Sequence, residues 1–227
     1  MSHQTIIVLD FGSQYTQLIA RRLRELSVYS EIWPPDTPAD TIRARAPAGI
    51  ILSGGPKSVS DAGAPRCDPA LFDMGSPVLG ICYGMQLMAH TLGGTVAPAP
   101  QREFGHATVT ISGRAVGAGS RAGLSVSARE DLPPEAMPDS GLLFAGVPPE
   151  IRVWASHGDF VAAAPSGFSV VATSANAPVA AMANADRGLY ALVGRGEPGA
   201  GDPQAEVGGR RGPIGVFTPK SQGRSSP

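Results

Sequence analysis

The sequence predicts an α/β domain, a mostly parallel twisted sheet with helices on both faces. Three observations predict it. Short apolar runs at residues 5–10, 49–53 and 77–81 have the continuous hydrophobicity of strands buried on both faces. Helical patterns and turn residues alternate with those runs through the first half of the chain, as crossover connections between parallel strands require. With 227 residues, 42% apolar and 16% charged, the chain has enough material for one core of ordinary composition.

The elements follow in order. Thr5-Ile-Ile-Val-Leu-Asp10 is the first strand. Ser13 is placed to cap a helix whose apolar face is Tyr15, Leu18, Ile19, Leu23 and Leu26, at helical spacing. Residues 28–33 make the second strand, and Thr37-Pro38 open a short helix as N-cap and first-turn proline. Residues 49–53 and 77–81 are the third and fourth strands, and residues 83–92 form a helix closed by Gly93-Gly94. Beyond it come short strands at 107–111, 151–154, 168–173, 179–182 and 188–192, with few helical patterns between them. The stretch 113–139, rich in Gly, Ala, Ser and Pro, reads as a surface insertion. Nine glycines and five prolines fall among the 34 residues of 194–227, so that segment is expected to be disordered or foreign to the fold. The domain therefore runs over 1–192, with a Gly/Pro/Arg-rich tail at 193–227.

Composition narrows the function. A formal charge of −1 gives no electrostatic reason to expect nucleic acid or an anionic membrane as a partner. No apolar run reaches transmembrane length, and the N-terminus lacks the basic and apolar regions of a signal peptide. Two cysteines, Cys67 and Cys82, exclude a disulfide scaffold and point to a reducing, cytoplasmic compartment. The four histidines, His3, His90, His106 and His157, are not clustered with cysteines as a zinc site would need, and no metal is expected.

Gly80-Ile81-Cys82-Tyr83-Gly84 is the cysteine form of a nucleophile elbow, in which a strand turns sharply onto a helix. A thiol is mostly protonated at neutral pH, and a helix N-terminus stabilises the thiolate. A lone cysteine is usually a small core hydrophobe, which is the reading adopted for Cys67. For Cys82 the strand–elbow–helix context favours a nucleophile. Acyl transfer also needs donors for an oxyanion. Ser53-Gly54-Gly55-Pro56 follows the third strand, so it leaves the sheet at the same edge as Cys82, and its glycines let backbone N–H groups approach a ligand.

Five segments then carry a resemblance: Asp10-Phe-Gly-Ser-Gln-Tyr-Thr-Gln-Leu-Ile-Ala-Arg21, Ile51-Leu-Ser-Gly-Gly-Pro56, Gly80-Ile-Cys-Tyr-Gly-Met-Gln86, Arg102-Glu-Phe-Gly105 and Val153-Trp-Ala-Ser-His-Gly-Asp159. In this order they resemble class I glutamine amidotransferases, specifically the amidotransferase domain of GMP synthases, over about 5–112 and 140–192. Other class I members share the elbow and glycine turn but not the first segment, and usually have Leu where Tyr83 stands.

The resemblance implies that Cys82 attacks the side-chain amide of L-glutamine, forms a glutamyl thioester and releases ammonia. It implies an oxyanion hole from the backbone amides of Gly55 and Tyr83, and glutamine binding by Gly54, Gln86, Ser156, His157, Gly158 and Asp159. It implies no cofactor in this domain. ATP and Mg²⁺ would belong to an ATP-pyrophosphatase domain or subunit that uses the ammonia to convert XMP to GMP. His157 then serves substrate binding rather than general base catalysis, and His90 and His106 are surface or packing residues.

After residue 192 the resemblance fails. The family completes its site with a Gln-Phe-His-Pro-Glu run after the last strand, where this chain reads Val193-Gly194-Arg195-Gly196-Glu197. Glu197 falls on the glutamate position and Arg195 on the histidine position. Arginine stays protonated and can neither take the thiol proton nor return one. The phosphate loop of an ATP-pyrophosphatase domain, expected next, is not in these 227 residues, and with the Gly/Pro/Arg tail this suggests a truncated, mispredicted or degenerate reading frame. Two other readings stay open. One is a non-catalytic, glutamine-binding or regulatory amidotransferase-like protein. The other is a cysteine hydrolase with a different base, against which the first segment speaks.

Overall fold

The structure, a computed structural model, describes residues 4–112, 143–144 and 147–196. The expected insertion at 113–139 and the tail from 197 onward lie outside the described residues. Among those described, ten strands form one sheet.

The parallel part of the sheet holds β1 (Thr5–Leu9), β2 (Tyr29–Trp33), β3 (Gly49–Leu52), β4 (Val78–Ile81) and β9 (Leu189–Leu192). β1 pairs with both β2 and β3, β3 with β4, and β4 with β9, all parallel. Alternation sorts their side chains to two faces. Ile6, Val8 and Ile51 point one way, onto Ile19 and Leu23 of α1 (Thr16–Glu25). Ile7, Leu9, Ile50 and Leu52 point the other way, into a core with Ile42 of α2 (Ala39–Arg45) and Met85, Leu87 and Met88 of α3 (Tyr83–Thr91). Helices therefore cover both faces, as the sequence predicts.

The antiparallel part extends the sheet beyond β9. β8 (Ala181–Asn184) and β7 (Ser169–Ser174) come next, followed by a long hairpin-like pair, β5 (Thr95–Ile111) and β6 (Glu150–Ala163). β5 and β6 are far longer than the short strands expected at 107–111 and 151–154. The β5–β6 register shifts between Pro98 and Glu103, an irregularity of the kind that lets proline sit within a strand. The two-residue β10 (Arg195–Gly196) then pairs with Val153 and Trp154 of β6.

Three local expectations need correction. α1 starts at Thr16 with Tyr15 as N-cap, and Ser13 instead shapes the preceding turn, its hydroxyl accepting from the Tyr15 N–H at 3.1 Å. The inward stripe of α1 is Thr16, Ile19, Ala20 and Leu23, one i, i+3, i+4, i+7 set, which leaves Leu18 and Leu26 exposed. Pro38, not Thr37, is the N-cap of α2. Proline has no capping side chain, and the first helical N–H, that of Ala39, is met by Asp68 at 2.9 Å.

Candidate active site

The ends of β1, β3, β4 and β9 meet along one edge of the sheet, where ligands bind in open α/β folds. Cys82 follows β4 immediately and is the N-cap of α3, with φ 51° and ψ −107°. A non-glycine residue at positive φ costs about 1–3 kcal/mol and persists only where its surroundings hold it there. Here they do. The Cys82 N–H donates to the Leu192 carbonyl at 3.0 Å, its carbonyl accepts from Gln86 N–H at 3.0 Å, and Gly84 N–H donates to Ser53 O at 3.1 Å. The glycines of the elbow are steric necessities. A Cβ at Gly80 would lie 2.7 Å from the Gly84 carbonyl oxygen, and one at Gly84 would lie 2.4 Å from that of Leu52.

The glycine turn after β3 lies against the elbow, as its position in the sequence predicts. A Cβ on Gly54 would sit 3.6 Å from Cys82 Cβ, and one on Gly55 would sit 2.6 Å from the Phe11 carbonyl oxygen. Residues 10–16 brace this turn from the other side. Asp10 accepts from the Gly12 N–H at 2.9 Å and from the Thr16 hydroxyl at 2.7 Å. The Phe11 ring packs on Tyr83 with centroids 5.4 Å apart. Tyr83 is buried, its hydroxyl donates to the Pro65 carbonyl at 2.6 Å, and burial pushes its pKa up.

Ser156, His157, Gly158 and Asp159 all lie on β6, with Phe104 opposite Ser156 and Glu103 opposite His157, so the Arg102–Gly105 segment runs alongside them. Gln86, buried on α3, donates its side-chain N–H to the Asp159 carbonyl at 2.9 Å. The elbow helix and this strand are thus directly joined. The position at Gly158 is open, with no heavy atom near a would-be Cβ.

The two cysteines differ as their contexts suggest. Neither is in a disulfide. Cys67 is buried in the main core, and burial pushes its thiol up to about 11, the condition of an inert packing cysteine. Cys82 is half-buried at the sheet edge. His90 is exposed at the end of α3, and His106 lies on β5. Arg195 stands in β10 opposite Trp154, two residues from Ser156 along β6, while Glu197 lies outside the described residues. Among the described residues no cluster of three or more His, Cys, Asp or Glu could hold a metal, and no helix is long and apolar enough to cross a membrane.

The family model for class-I glutamine amidotransferases matches residues 7–192. The chain belongs to the class-I glutamine amidotransferase family. The glutamine-hydrolysing GMP synthase of Lactiplantibacillus plantarum is 49% identical to this amidotransferase over 192 residues, which are 84% of this chain and 32% of that protein. The corresponding enzyme of Geobacillus kaustophilus is 48% identical over 85% of the chain and 32% of its own length. The amidotransferase chain thus spans about a third of the length of such relatives. Among solved structures, a candidate GMP synthase component of Thermoplasma acidophilum superposes with a TM-score of 0.66 at 28% identity, over 85% of this chain and 83% of that one. A glutamine amidotransferase of Thermotoga maritima shares the fold, with a TM-score of 0.56 at 18% identity over 85% and 75%.

Two features of the candidate site escape sequence reasoning. Ser53 is fully buried beneath the glycine turn, and the Asp159 backbone holds Gln86. The signal for Ser53 was a hydroxyl residue ending an otherwise apolar strand. No sequence signal reports a backbone carbonyl 73 residues away.

Proposed function

We propose that this domain is the glutaminase part of a GMP synthase, hydrolysing L-glutamine through a Cys82 thioester to supply ammonia for conversion of XMP to GMP in purine biosynthesis. The Cys82 sulfur attacks the side-chain amide carbon, the C–S bond forms, and the C–N bond breaks as ammonia leaves. Water then cleaves the thioester and releases glutamate. The observation that carries this reading is the presentation of Cys82 at positive φ between β4 and α3, beside Gly54 of the glycine turn, in a chain of this family. Gly55 and Tyr83 donate backbone N–H groups to the oxyanion. Gly54, Gln86 and the Ser156–Asp159 segment hold the glutamine. The domain needs no cofactor of its own, while ATP and Mg²⁺ act in an ATP-pyrophosphatase domain or subunit that is its partner. Cysteines outside any disulfide fit a cytoplasmic setting.

Turnover is slowed by the substitution after β9. Arg195 stands at the position of the family's histidine and carries no base, and Glu197 at the glutamate position cannot act alone. This substitution also favours a second reading, in which the domain binds glutamine without turning it over and regulates a synthetase.

A glutaminase assay of the chain, with and without a synthetase partner, separates the two. Slow glutamate release that Cys82→Ala abolishes supports the enzyme. Saturable glutamine binding with no Cys82-dependent release in either condition would establish the regulatory reading instead.

A further inference from the structure

The segment at residues 10–21 takes no part in the chemistry above, yet its Phe11 N–H bonds the side chain that immediately precedes the glycine turn. Ser53 is fully buried. Its hydroxyl donates to the Gly54 carbonyl at 2.9 Å and accepts from the Phe11 N–H at 3.0 Å. Its backbone N–H donates to Leu9 O, and its carbonyl accepts from Gly84 N–H, both at 3.1 Å. One residue therefore ties the ends of β1 and β3 to the first turn of α3.

A trans peptide is planar, with its C=O and N–H directed oppositely. The Gly54 carbonyl is drawn to the buried Ser53 hydroxyl, so the Gly55 N–H of the same peptide is turned away from it. Without that bond, two successive glycines would leave the peptide wide conformational freedom. We propose that Ser53 is a positioning residue for amide hydrolysis: its hydroxyl, held by the Phe11 N–H, fixes the Gly54–Gly55 peptide so that Gly55 N–H meets the oxyanion formed at Cys82. The proposal rests on the reading of Gly55 as an oxyanion donor. It also gives the first segment a task, since the Asp10 carboxylate and the Phe11–Tyr83 ring contact hold Phe11 where its N–H reaches Ser53.

The test uses glutamate γ-semialdehyde, the aldehyde analogue of glutamine. The Cys82 sulfur adds to its carbonyl carbon, the C–S bond forms, the π pair moves to oxygen, and the thiol proton ends on that oxygen or in solvent. The adduct holds the tetrahedral oxygen that the oxyanion donors serve, whereas bound glutamine does not. Protection of Cys82 from iodoacetamide, mapped by peptide on the full chain, gives an affinity for each compound.

Removing an oxyanion donor costs about 10²–10³-fold, so Ser53→Ala, which only disorients one, should weaken aldehyde protection by roughly tenfold or more. Glutamine protection should shift by less than about twofold. Ser53→Thr should recover most of the aldehyde affinity, and Ser53→Val, of the same shape but without the hydroxyl, should not. Should Ser53→Ala lack a cooperative melt, the Thr and Val pair decides. Equal aldehyde affinity in parent and hydroxyl-free variants, or an equal loss for both ligands, overturns the proposal. Aldehyde that fails to protect Cys82 in the parent overturns the reading of Cys82 itself, and the proposal with it.

Discussion

A methyl group on Gly84 would lie 2.4 Å from the Leu52 carbonyl oxygen and 2.6 Å from Leu52 Cβ. The backbone of β3 and the first turn of α3 are that close because the Gly84 N–H donates to Ser53 O. Gly84→Ala must therefore push the elbow helix off the sheet, and overpacking of this kind costs about 1–3 kcal/mol, occasionally more. Gly63 provides the contrast. It has φ +74° but open space around a would-be Cβ, so Gly63→Ala meets only the left-handed backbone term of about 1–2 kcal/mol. Urea unfolding should place Gly84→Ala at or beyond the top of that range, with Cys82 alkylation also altered, and leave alkylation unaffected in Gly63→Ala. Equal effects on both would mean that backbone conformation, rather than the approach to Leu52, dictates glycine at the elbow. The strain at Cys82 itself, φ 51°, belongs to the same device. Its cost is met by bonds to Leu192 and Gln86.

At the scale of elements, α2 depends on a residue outside its own sequence. Asp68 accepts from Ala39 N–H with one oxygen and from Ala70 N–H with the other, at 2.9 and 3.0 Å. It thereby caps α2 and the short 3₁₀ helix Pro69–Asp73 together. The backbone donor of Ala39, then that of Ala70, hold its carboxyl below the ordinary value of 3.8, with a smaller contribution from Arg43. A lowered folded-state pKa means stability that is present above the unfolded value and lost as pH falls through the folded one. Asp68→Ala should therefore lower Tm by roughly 2–5 °C near neutrality, and the gap from the parent should close below about pH 4. A gap that persists undiminished in acid would show that the carboxylate is not what stabilises these helices. Such a cap is invisible in sequence because donor and acceptor are 29 residues apart. The parallel strands are legible because burial on both faces leaves unbroken apolar runs. β5 is not, since Pro98, Pro100 and polar residues interrupt its pattern before Ala107. Leu18 and Leu26 mislead for another reason: a stripe of large residues competes with the narrower Thr16–Ala20–Leu23 stripe that faces the sheet. The site divides likewise. Cys82 and the two glycines declare themselves by local turn chemistry, whereas the Ser53 hydroxyl is held by the Phe11 N–H, 42 residues distant.

Over the whole molecule, the sheet order places β4 between β3 and β9, so the glycine turn, Cys82 and the chain leaving β9 emerge together. From there Val193, buried and bonded to Ala180 O, and Gly194, at φ +78°, lead to β10 beside Trp154. That crossing brings residue 195 to the strand of Ser156 and His157, and the proposed glutaminase carries arginine rather than a general base there. A general acid or base contributes about 10²–10⁴-fold, so the parent chain should release glutamate from glutamine at least that much more slowly than the Lactiplantibacillus plantarum relative. Arg195→His alone should recover little, because Gly194 and Gly196 do not constrain an imidazole and misplacement can forfeit about 10²-fold. Replacing Val193-Gly194-Arg195-Gly196 together by Gln-Phe-His-Pro, with Glu197 retained, should recover much more. It should also lower Tm, since phenylalanine at 194 inherits a positive φ, glutamine at 193 enters a buried position, and proline at 196 removes an N–H from β10. Glutaminase kcat and melting temperature, measured on the parent, the single variant and the block variant, should therefore move in opposite directions across the series. A parent as fast as that relative would show that another group serves as base and that the chain after β9 is not where the site is completed.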